Sequence, residues 1–446
     1  MSGLSINSAF IQHSNSASIP IKEHMLLLDP QTKSTGIRGG EMTTFDIPTS
    51  TGANGSYIDM NSSYLELTVR AEGVADTLAR LPVGGVNSLI QTVDVESSNF
   101  VVEHSDEWAR MRQTLADIND EDEDRMGYKA FVEGHSHSLK VKTTDTTAKG
   151  VVSVDAITGP IRQGVDFSKV ATGATESAPV RFCIPIPSQA LNNGKHVPVH
   201  AISHLRYSIT WVKPKNGIVA VAGTELPTGF TIDEPRLHLC YLEMSNKSRE
   251  VINSKSGLSW SHPMWEVHKA NTVASAASQS FRYPSHKSSV KTLMASFHDP
   301  AANDSNAQGV DFMSRSLNGL ESFQYRINGE YFPQNEVRTT LGGAESMVEL
   351  SRAFHKIRGK TGQISGENYT ASDKTKAEST FVLATNCESN TGKSNSSFAG
   401  QNTLQEAPLL LCKFNSGHVK AEEVLLYVQY DASNKIGSDG VWHTDQ

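Results

Sequence analysis

The chain has 446 residues, of which 37% are hydrophobic and 20% are charged, and its formal net charge is −8. This length is too great for one hydrophobic core and fits two domains of ordinary size. The net charge is negative and the chain has no arginine-rich arm, which excludes condensation of a genome and predicts no sequence-specific binding to nucleic acid. No apolar run approaches the roughly 18 residues of a membrane span, and the N-terminus lacks the pattern of a signal peptide, so we expect neither membrane insertion nor ordinary secretion.

Along the chain, short apolar runs separated by turn residues predict β-structure. Residues 1–20 are rich in Ser and Asn and contain no Lys or Arg, which predicts an N-terminal arm instead of a folded element. The clearest strand patterns are Tyr64–Val69, Leu205–Trp211, Leu237–Tyr241, Lys291–Phe297 and Val424–Tyr430. A polar run at Ser245–Gly257 predicts the break between two halves, and hence a first domain at residues 21–245 and a second at 246–446.

A hairpin followed by a helix occurs twice in the sequence. In the first copy, strands around a turn at 97–99 precede a predicted helix at Ser105–Ile118, with Ser105 as its N-cap. In the second copy, strands around Asn328–Gly329 precede a predicted helix at Ala344–Ile357. Apolar residues follow the same three, four, three spacing in both helices, and Trp108 lies 239 residues before its counterpart Met347. A period this long predicts two related domains in tandem.

These observations predict an all-β fold of two tandem eight-stranded antiparallel jelly rolls, with a few short helices in loops. Jelly rolls bury one face of each strand without leaving long open sheet edges. Long polar insertions interrupt the strands at Thr143–Glu176, Ala301–Gly309 and Gly359–Lys376. We expect such loops to lie at one end of each sandwich and to face solvent or a neighbouring molecule.

Several segments resemble the double jelly-roll major capsid proteins of Polinton-like elements, virophages, adintoviruses and nucleocytoplasmic large DNA viruses. Tyr57–Leu67 and Leu81–Val95 resemble that family's strand and its following glycine-containing segment, hairpin and helix. Phe182–Ile209 is similar to the family's next strands, and Ile232–Tyr241 to the strand that closes the first jelly roll. The likeness covers residues 45–110 and 180–245 well and the second half more loosely.

The resemblance implies a viral major capsid protein that functions in the virion shell. It implies homotrimeric, pseudo-hexagonal capsomers that tile an icosahedral capsid. Expected partners are other copies of the chain, neighbouring capsomers, penton proteins, minor capsid or cement proteins, and an internal membrane reached through the arm. The alternative is a β-sandwich carbohydrate-binding or virion attachment protein. Exposed aromatic platforms would favour that alternative, but the only Phe, Tyr or Trp residues in the two longest insertions are Phe167 and Tyr369.

Stretches that imitate active or metal sites lack necessary residues. Thr391–Ser394 resembles part of a phosphate loop, but Cys387 stands where the loop needs its first glycine. The acidic run Asp117–Asp124 has Asp122 where a calcium loop needs glycine, so it predicts a solvated helix end or, alternatively, a loose cation site at a subunit contact.

The histidines also give no recognisable metal site. His196, His200 and His204 are spaced for a helix, but Pro198 favours an extended chain, in which they could not share one ion. The loop pair at residues 135 and 137 stands alone. The four cysteines, which form no CxxC pair, are predicted to be reduced and buried. We therefore predict no enzyme, no catalytic or cofactor-binding residue, no cofactor and no metal ligand.

Overall fold

A computed structural model of the chain describes residues 21–49, 55–73, 78–82, 84–119, 128–129, 132–134, 141–143, 152–154, 166–167, 176–222, 228–244, 258–298, 313, 315–339, 344–354, 381–388, 400–415, 419–437 and 439–445. The predicted arm at 1–20, the predicted break at 245–257 and the insertions at 301–309 and 359–376 lie outside these residues. None of the helices within the ranges given is long and apolar enough to cross a membrane.

The first half forms two four-stranded antiparallel layers. Its strands are β1 (Ile21–Leu28), β2 (Ile37–Arg38), β3 (Met42–Ile47), β4 (Gly55–Glu72), β5 (Leu78–Arg80), β6 (Ile90–Ser97), β7 (Phe100–Ser105), β8 (Val141–Thr143), β9 (Val152–Val154), β10 (Asp166–Phe167), β11 (Val180–Pro185), β12 (Leu205–Trp211), β13 (Val219–Ala222) and β14 (Gly229–Met244). One layer has the order β1-β14-β4-β11, with β2 beside β14, and the other has the order β3-β12-β6-β7. Two small sheets, β10-β5-β13 and β8-β9, complete this half.

The second half repeats this strand order. Its strands are β15 (Ser259–Asn271), β16 (Ser278–Arg282), β17 (Val290–His298), β18 (Leu320–Ile327), β19 (Glu330–Arg338), β20 (Leu383–Asn386), β21 (Leu409–Phe414), β22 (Glu423–Ile436) and β23 (Trp442–Asp445). The layers are β15-β22-β17-β20, with β23 beside β22, and β16-β21-β18-β19. Among the eight strands of the two layers in each half, with β2 and β23 set aside, the chain alternates between the layers except at one hairpin, β6–β7 or β18–β19. The prediction of two eight-stranded jelly rolls is therefore confirmed.

The core lies between the layers and is filled by alternate side chains of each strand. Leu65, Leu67 and Val69, predicted to share one face of β4, are all fully buried. Most buried apolar residues of both halves belong to one continuous cluster, and two small clusters, one around Tyr57 and one around Met264, lie apart from it. Each large apolar side chain that is fully covered stabilises the fold by roughly 1.5–3 kcal/mol relative to exposure.

Each repeated hairpin is followed by a helix, as predicted, although the first helix begins later than expected. Helix α1 covers Trp108–Asn119 and helix α2 covers Ala344–Ala353. The prediction of Ser105 as N-cap is wrong, because this residue ends β7 and its hydroxyl donates to Glu103 Oε1 at 2.7 Å. Within the described ranges, three short 3-10 helices lie at Gly85–Leu89, Val199–Ala201 and Pro214–Asn216.

The tight turn of the second hairpin follows directly from its sequence. Asn328 and Gly329 both have positive φ, at 49° and 81°. A type I′ turn needs this conformation at both central positions, and Asn-Gly adopts it with little strain. The turn fixes the register of β18 and β19, with Ile327 opposite Glu330.

Candidate assembly interface

The edge of the second jelly roll is covered by a side chain of the first. Strand β15 lies at the end of its layer, so one side of its backbone has no neighbouring strand among the described residues. Gln189 Nε2 donates to the carbonyl oxygen of Trp265 at 2.9 Å, and the Trp265 N–H donates to Gln189 Oε1 at 2.6 Å. Farther along the same edge, Lys195 Nζ donates to the carbonyl oxygen of Ser261 at 2.9 Å. These contacts satisfy backbone groups that would otherwise be open to another strand.

A buried carboxylate holds Gln189 in place. Glu103 is 1% exposed, and its Oε1 accepts from the Ser105 hydroxyl at 2.7 Å and from the Gln189 N–H at 2.9 Å. Its Oε2 accepts from the Ser188 hydroxyl at 2.5 Å and from the Ala190 N–H at 2.9 Å. Burial raises the pKa of Glu103 above its usual range, although these four hydrogen bonds favour the carboxylate. The loop at 188–190 is thereby fixed to the end of β7.

Helix α1 contacts the second jelly roll through ion pairs. Arg110, whose side chain is 2% exposed, lies 2.6 Å from Glu423 at the start of β22 and 3.5 Å from Glu107. Two turns further along α1, Arg315 Nη2 lies 2.5 Å from Asp117 Oδ2. Such buried pairs depend on both partners, because removal of one leaves an uncompensated charge away from water. The prediction of a solvated acidic helix end is therefore wrong for Asp117, which is buried, while residues 120–124 of the predicted run lie outside the described residues.

Lys269 on β15 adds a further connection to the start of α1. Its Nζ lies 2.6 Å from Glu107 Oε1 and 3.5 Å from Asp106 Oδ2. Burial disfavours the charged form of Lys269, yet Glu107 and Asp106 hold the pKa of this amine above its usual value. Burial likewise disfavours the charged form of Asp106, but Lys269 and hydrogen bonds from the Glu107 N–H and Gln91 lower the pKa of that carboxyl. Both groups are therefore charged at neutral pH.

The C-terminal strand β23 returns to the first jelly roll. The Trp442 N–H donates to Ser97 Oγ at 3.0 Å, and the ring of His443 lies 4.6 Å from that of Phe100 in an edge contact. Just before β23, the Gly440 carbonyl accepts from the Ser203 N–H at 2.8 Å. The strand therefore connects β22, with which it pairs, to the hairpin of the other jelly roll.

A hydrogen-bond network below β23 fixes one histidine in its neutral form. Asn434 Oδ1 accepts from Trp442 Nε1 at 2.9 Å and from Thr444 Oγ1 at 2.8 Å, so its Nδ2 must donate to His262 Nδ1 at 2.8 Å. Burial, together with the charge of Lys195, lowers the pKa of His262 to about 4. Protonation of Nδ1 would remove the acceptor that Asn434 requires.

The two helices differ in how much of their surface is covered. In α1 nearly every residue is buried, including Ala109 at 3% exposure. In α2 only Ser346, Leu350 and Ala353 are buried, and Val348, the residue 239 positions after Ala109, is 51% exposed. Arg110 likewise corresponds to Glu349, a residue of opposite charge. The helices share a place in the strand order, but only α1 lies between two jelly rolls.

The remaining candidate site residues do not converge. His196 Nδ1 lies 3.5 Å from Asp59, His200 Nδ1 is 3.0 Å from the carbonyl oxygen of Ser56, and His204 lies 3.8 Å from Asp46. The stretch between them is not wholly extended, since it includes a 3-10 turn. In the part of the chain that the structure describes, no three His, Cys, Asp or Glu side chains are grouped to hold a metal ion.

Other residues singled out in the sequence are accounted for as follows. All four cysteines are free, as predicted, and three are buried, whereas Cys183 is only half-buried. Phe167 is 1% exposed and belongs to the core, so it offers no platform for a sugar. Thr391–Ser394, Tyr369 and the histidines at 135 and 137 lie outside the described residues.

Solved structures of similar fold span nearly the whole chain. The PBCV-1 virus capsid protein is 12% identical, with a TM-score of 0.59 over 96% of this chain and 98% of that chain. The Faustovirus major capsid protein is 10% identical, with a TM-score of 0.61 over 95% and 92%. The mavirus major capsid protein is 13% identical, with a TM-score of 0.51 over 97% and 91%. At these identities the likeness establishes a shared fold. No protein-family model and no curated protein sequence matches the chain.

Proposed function

We propose that the chain is a viral major capsid protein, located in the virion shell, that assembles as homotrimeric capsomers of an icosahedral capsid. The observation that carries this proposal is one strand order, repeated in tandem over a length shared with solved capsid proteins. Three copies of a chain with two similar jelly rolls offer six similar wedges. Threefold assembly can then fill a position of sixfold shape in the shell.

This function depends on burial of surface and on complementary shape at subunit interfaces, and it requires no catalysis. The contact between the jelly rolls already shows its elements: a covered sheet edge, buried ion pairs and a returning strand. In this proposal the domains are residues 21–245 and 246–446, and residues 1–20 form an arm on the inner face of the shell. Partners are neighbouring capsomers, penton and minor capsid or cement proteins, and an internal membrane contacted by the arm.

The oligomeric state of the purified chain tests the proposal. Size-exclusion chromatography with light scattering should give three times the chain mass of 48.5 kDa. Permanent complexes of this kind bury more than about 2,000 Å² per interface, so the trimer should persist on dilution. Electron microscopy of concentrated protein should then show pseudo-hexagonal capsomers or shells. A stable monomer at micromolar concentration, or a monomer that binds glycans, would contradict the proposal and favour the carbohydrate-binding alternative.

A further inference from the structure

A lysine and two carboxylates meet inside the second jelly roll. Lys291 Nζ lies 3.1 Å from Asp431 Oδ1 and 3.3 Å from Glu388 Oε1. The side chains of Lys291, Glu388 and Asp431 are 11%, 8% and 2% exposed. Buried charges are normally paired one to one, whereas here two anions share one cation. The cluster therefore holds an amine and two carboxyl groups in contact and away from water.

Three neighbouring strands hold these residues in place. Lys291 lies on β17, at an irregularity in its pairing with β22, the strand that carries Asp431. The Asp431 N–H donates to the carbonyl oxygen of Ser289 at 3.1 Å. On the other side of β17, the Cys387 N–H donates to the carbonyl oxygen of Lys291 at 2.8 Å, and Glu388 follows directly. Groups carried by strands in this way are positioned more precisely than groups on loops.

A serine hydroxyl makes Asp431 the carboxyl that is suited to attack by the amine. The Ser289 hydroxyl donates to Asp431 Oδ2 at 2.9 Å, so it can stabilise negative charge on this oxygen while the carbon is attacked. Ser289 Oγ in turn accepts from the Gly400 N–H at 3.2 Å, which orients the hydroxyl. Because Cγ is bonded to Oδ1, the lysine nitrogen lies within about 4.3 Å of that carbon. This separation is close to that of reacting atoms before a bond forms.

We propose that Lys291 and Asp431 condense to an isopeptide bond, with Glu388 as the group that moves protons. Glu388 takes one proton from the ammonium, and Nζ then forms a bond to Cγ of Asp431. The Oδ1 atom leaves as water with that proton and a second one from Nζ, while Oδ2 remains as the amide oxygen. Glu388 returns to a carboxylate, and no oxidant or reductant is consumed. The reaction occurs once in each chain and replaces a buried ion pair by a neutral amide.

The mass of the denatured wild-type chain tests this proposal without any substitution. Protein that has folded and is then unfolded in acid should be lighter than its sequence by one water molecule. A tryptic digest analysed by tandem mass spectrometry should contain a branched peptide that joins Lys291 to Asp431, two residues 140 positions apart. A chain of full mass that gives only linear peptides would overturn the proposal. A branch from Lys291 to Glu388 would overturn the roles assigned to the two carboxyl groups.

Three conservative substitutions assign the roles of the residues. Lys291→Arg keeps a cation beside both carboxylates but removes the amine, so this chain should keep its full mass. Glu388→Gln should also keep its full mass, because the amide cannot accept the proton. Asp431→Asn should still form the branch, but it should lose one ammonia molecule instead of one water.

Circular dichroism confirms that each variant is folded, so that a missing branch reports on chemistry and not on unfolding. An undiminished yield of the branch in folded Glu388→Gln would overturn the role of Glu388. The branched peptide lies within one chain and forms whatever the oligomeric state. Its absence from the wild type would therefore overturn this inference and leave the proposed function intact.

Discussion

The side-chain amide of Gln189 makes two hydrogen bonds with the backbone of Trp265, a residue 76 positions farther along the chain. One amide thus takes the place of a neighbouring strand at this point of the β15 edge. Because Glu103 accepts from the backbone N–H of Gln189, the amide is held at this edge by a buried anchor. The two jelly rolls are joined by directional contacts as well as by apolar packing.

Gln189→Leu should lower the free energy of unfolding by about 2–6 kcal/mol. Leucine has a similar size but leaves the N–H and carbonyl of Trp265 unsatisfied in a partly buried position, and each such group costs about 1–3 kcal/mol. Urea unfolding followed by tryptophan fluorescence measures the loss. Gln324→Leu is the control, because Gln324 donates to the carbonyl oxygens of Pro333 and Gln334 within one jelly roll. Limited proteolysis should cut Gln189→Leu between the jelly rolls faster than Gln324→Leu. Equal cleavage rates in the two variants would show that the role assigned to Gln189 is wrong.

Arg110→Met should be more harmful than an ordinary loss of charge. The substitution leaves Glu423 and Glu107 close together without their buried cation, and breaking a buried pair in this way costs about 3–5 kcal/mol. Arg326→Met is the matched control, since Arg326 and Glu406 are 4.0 Å apart and their side chains are 43% and 45% exposed. An exposed pair contributes no more than about 1 kcal/mol. Similar urea midpoints for the two variants would contradict this prediction.

The fold should lose stability in mild acid through His262. Its folded pKa of about 4 is lower than the ordinary value of 6.5, so the unfolded chain takes up the proton first. The contribution is complete above pH 6.5 and is lost as the pH falls toward 4, by roughly 2–4 kcal/mol in total. His262→Asn, which keeps an acceptor for Asn434, should flatten the dependence in this window. An unchanged pH profile of the melting temperature in His262→Asn would exclude His262 as the cause.

Deletion of residues 2–18 should leave trimers intact and impair shell assembly. The segment holds no Lys or Arg, so it cannot neutralise phosphates, and its apolar residues are Leu4, Ile6, Phe10 and Ile11. Burial of each beneath a neighbouring capsomer, on a minor protein or on a membrane would contribute on the order of 1.5–3 kcal/mol. Light scattering checks the trimer, and particle yield by electron microscopy checks the shell. Normal yields from the deletion, or protease cleavage of the arm on intact particles, would refute an internal location.

The repeated elements could be predicted from sequence because their signals are local. The alternation in β4 and the Asn328–Gly329 turn each depend on neighbouring residues, and both are observed. Residue type alone predicts the wrong start for α1, because Ser105 fits an N-cap by its side chain. Its hydroxyl instead contacts Glu103, a preference that residue type does not reveal.

The contact between the jelly rolls could not be predicted in the same way. Arg110, Thr114 and Asp117 form a polar stripe on one face of α1, and such a stripe ordinarily faces water. Their partners Arg315 and Glu423 lie 198 and 313 residues away from Asp117 and Arg110 in the chain. Only folding brings these charges together. A cation and an anion on the same helical face, close to an apolar stripe, were the only available signal of ion pairing.

The different surroundings of α1 and α2 also bear on how such a protein can change over evolutionary time. In a ring of six identical single-domain chains, one mutation would change all six contacts between neighbouring chains. Here the corresponding positions Arg110 and Glu349 are separate codons, so in a ring of three copies each mutation enters only three. In the proposed trimer, the contact inside the chain and the contact between copies can therefore be selected for different strengths.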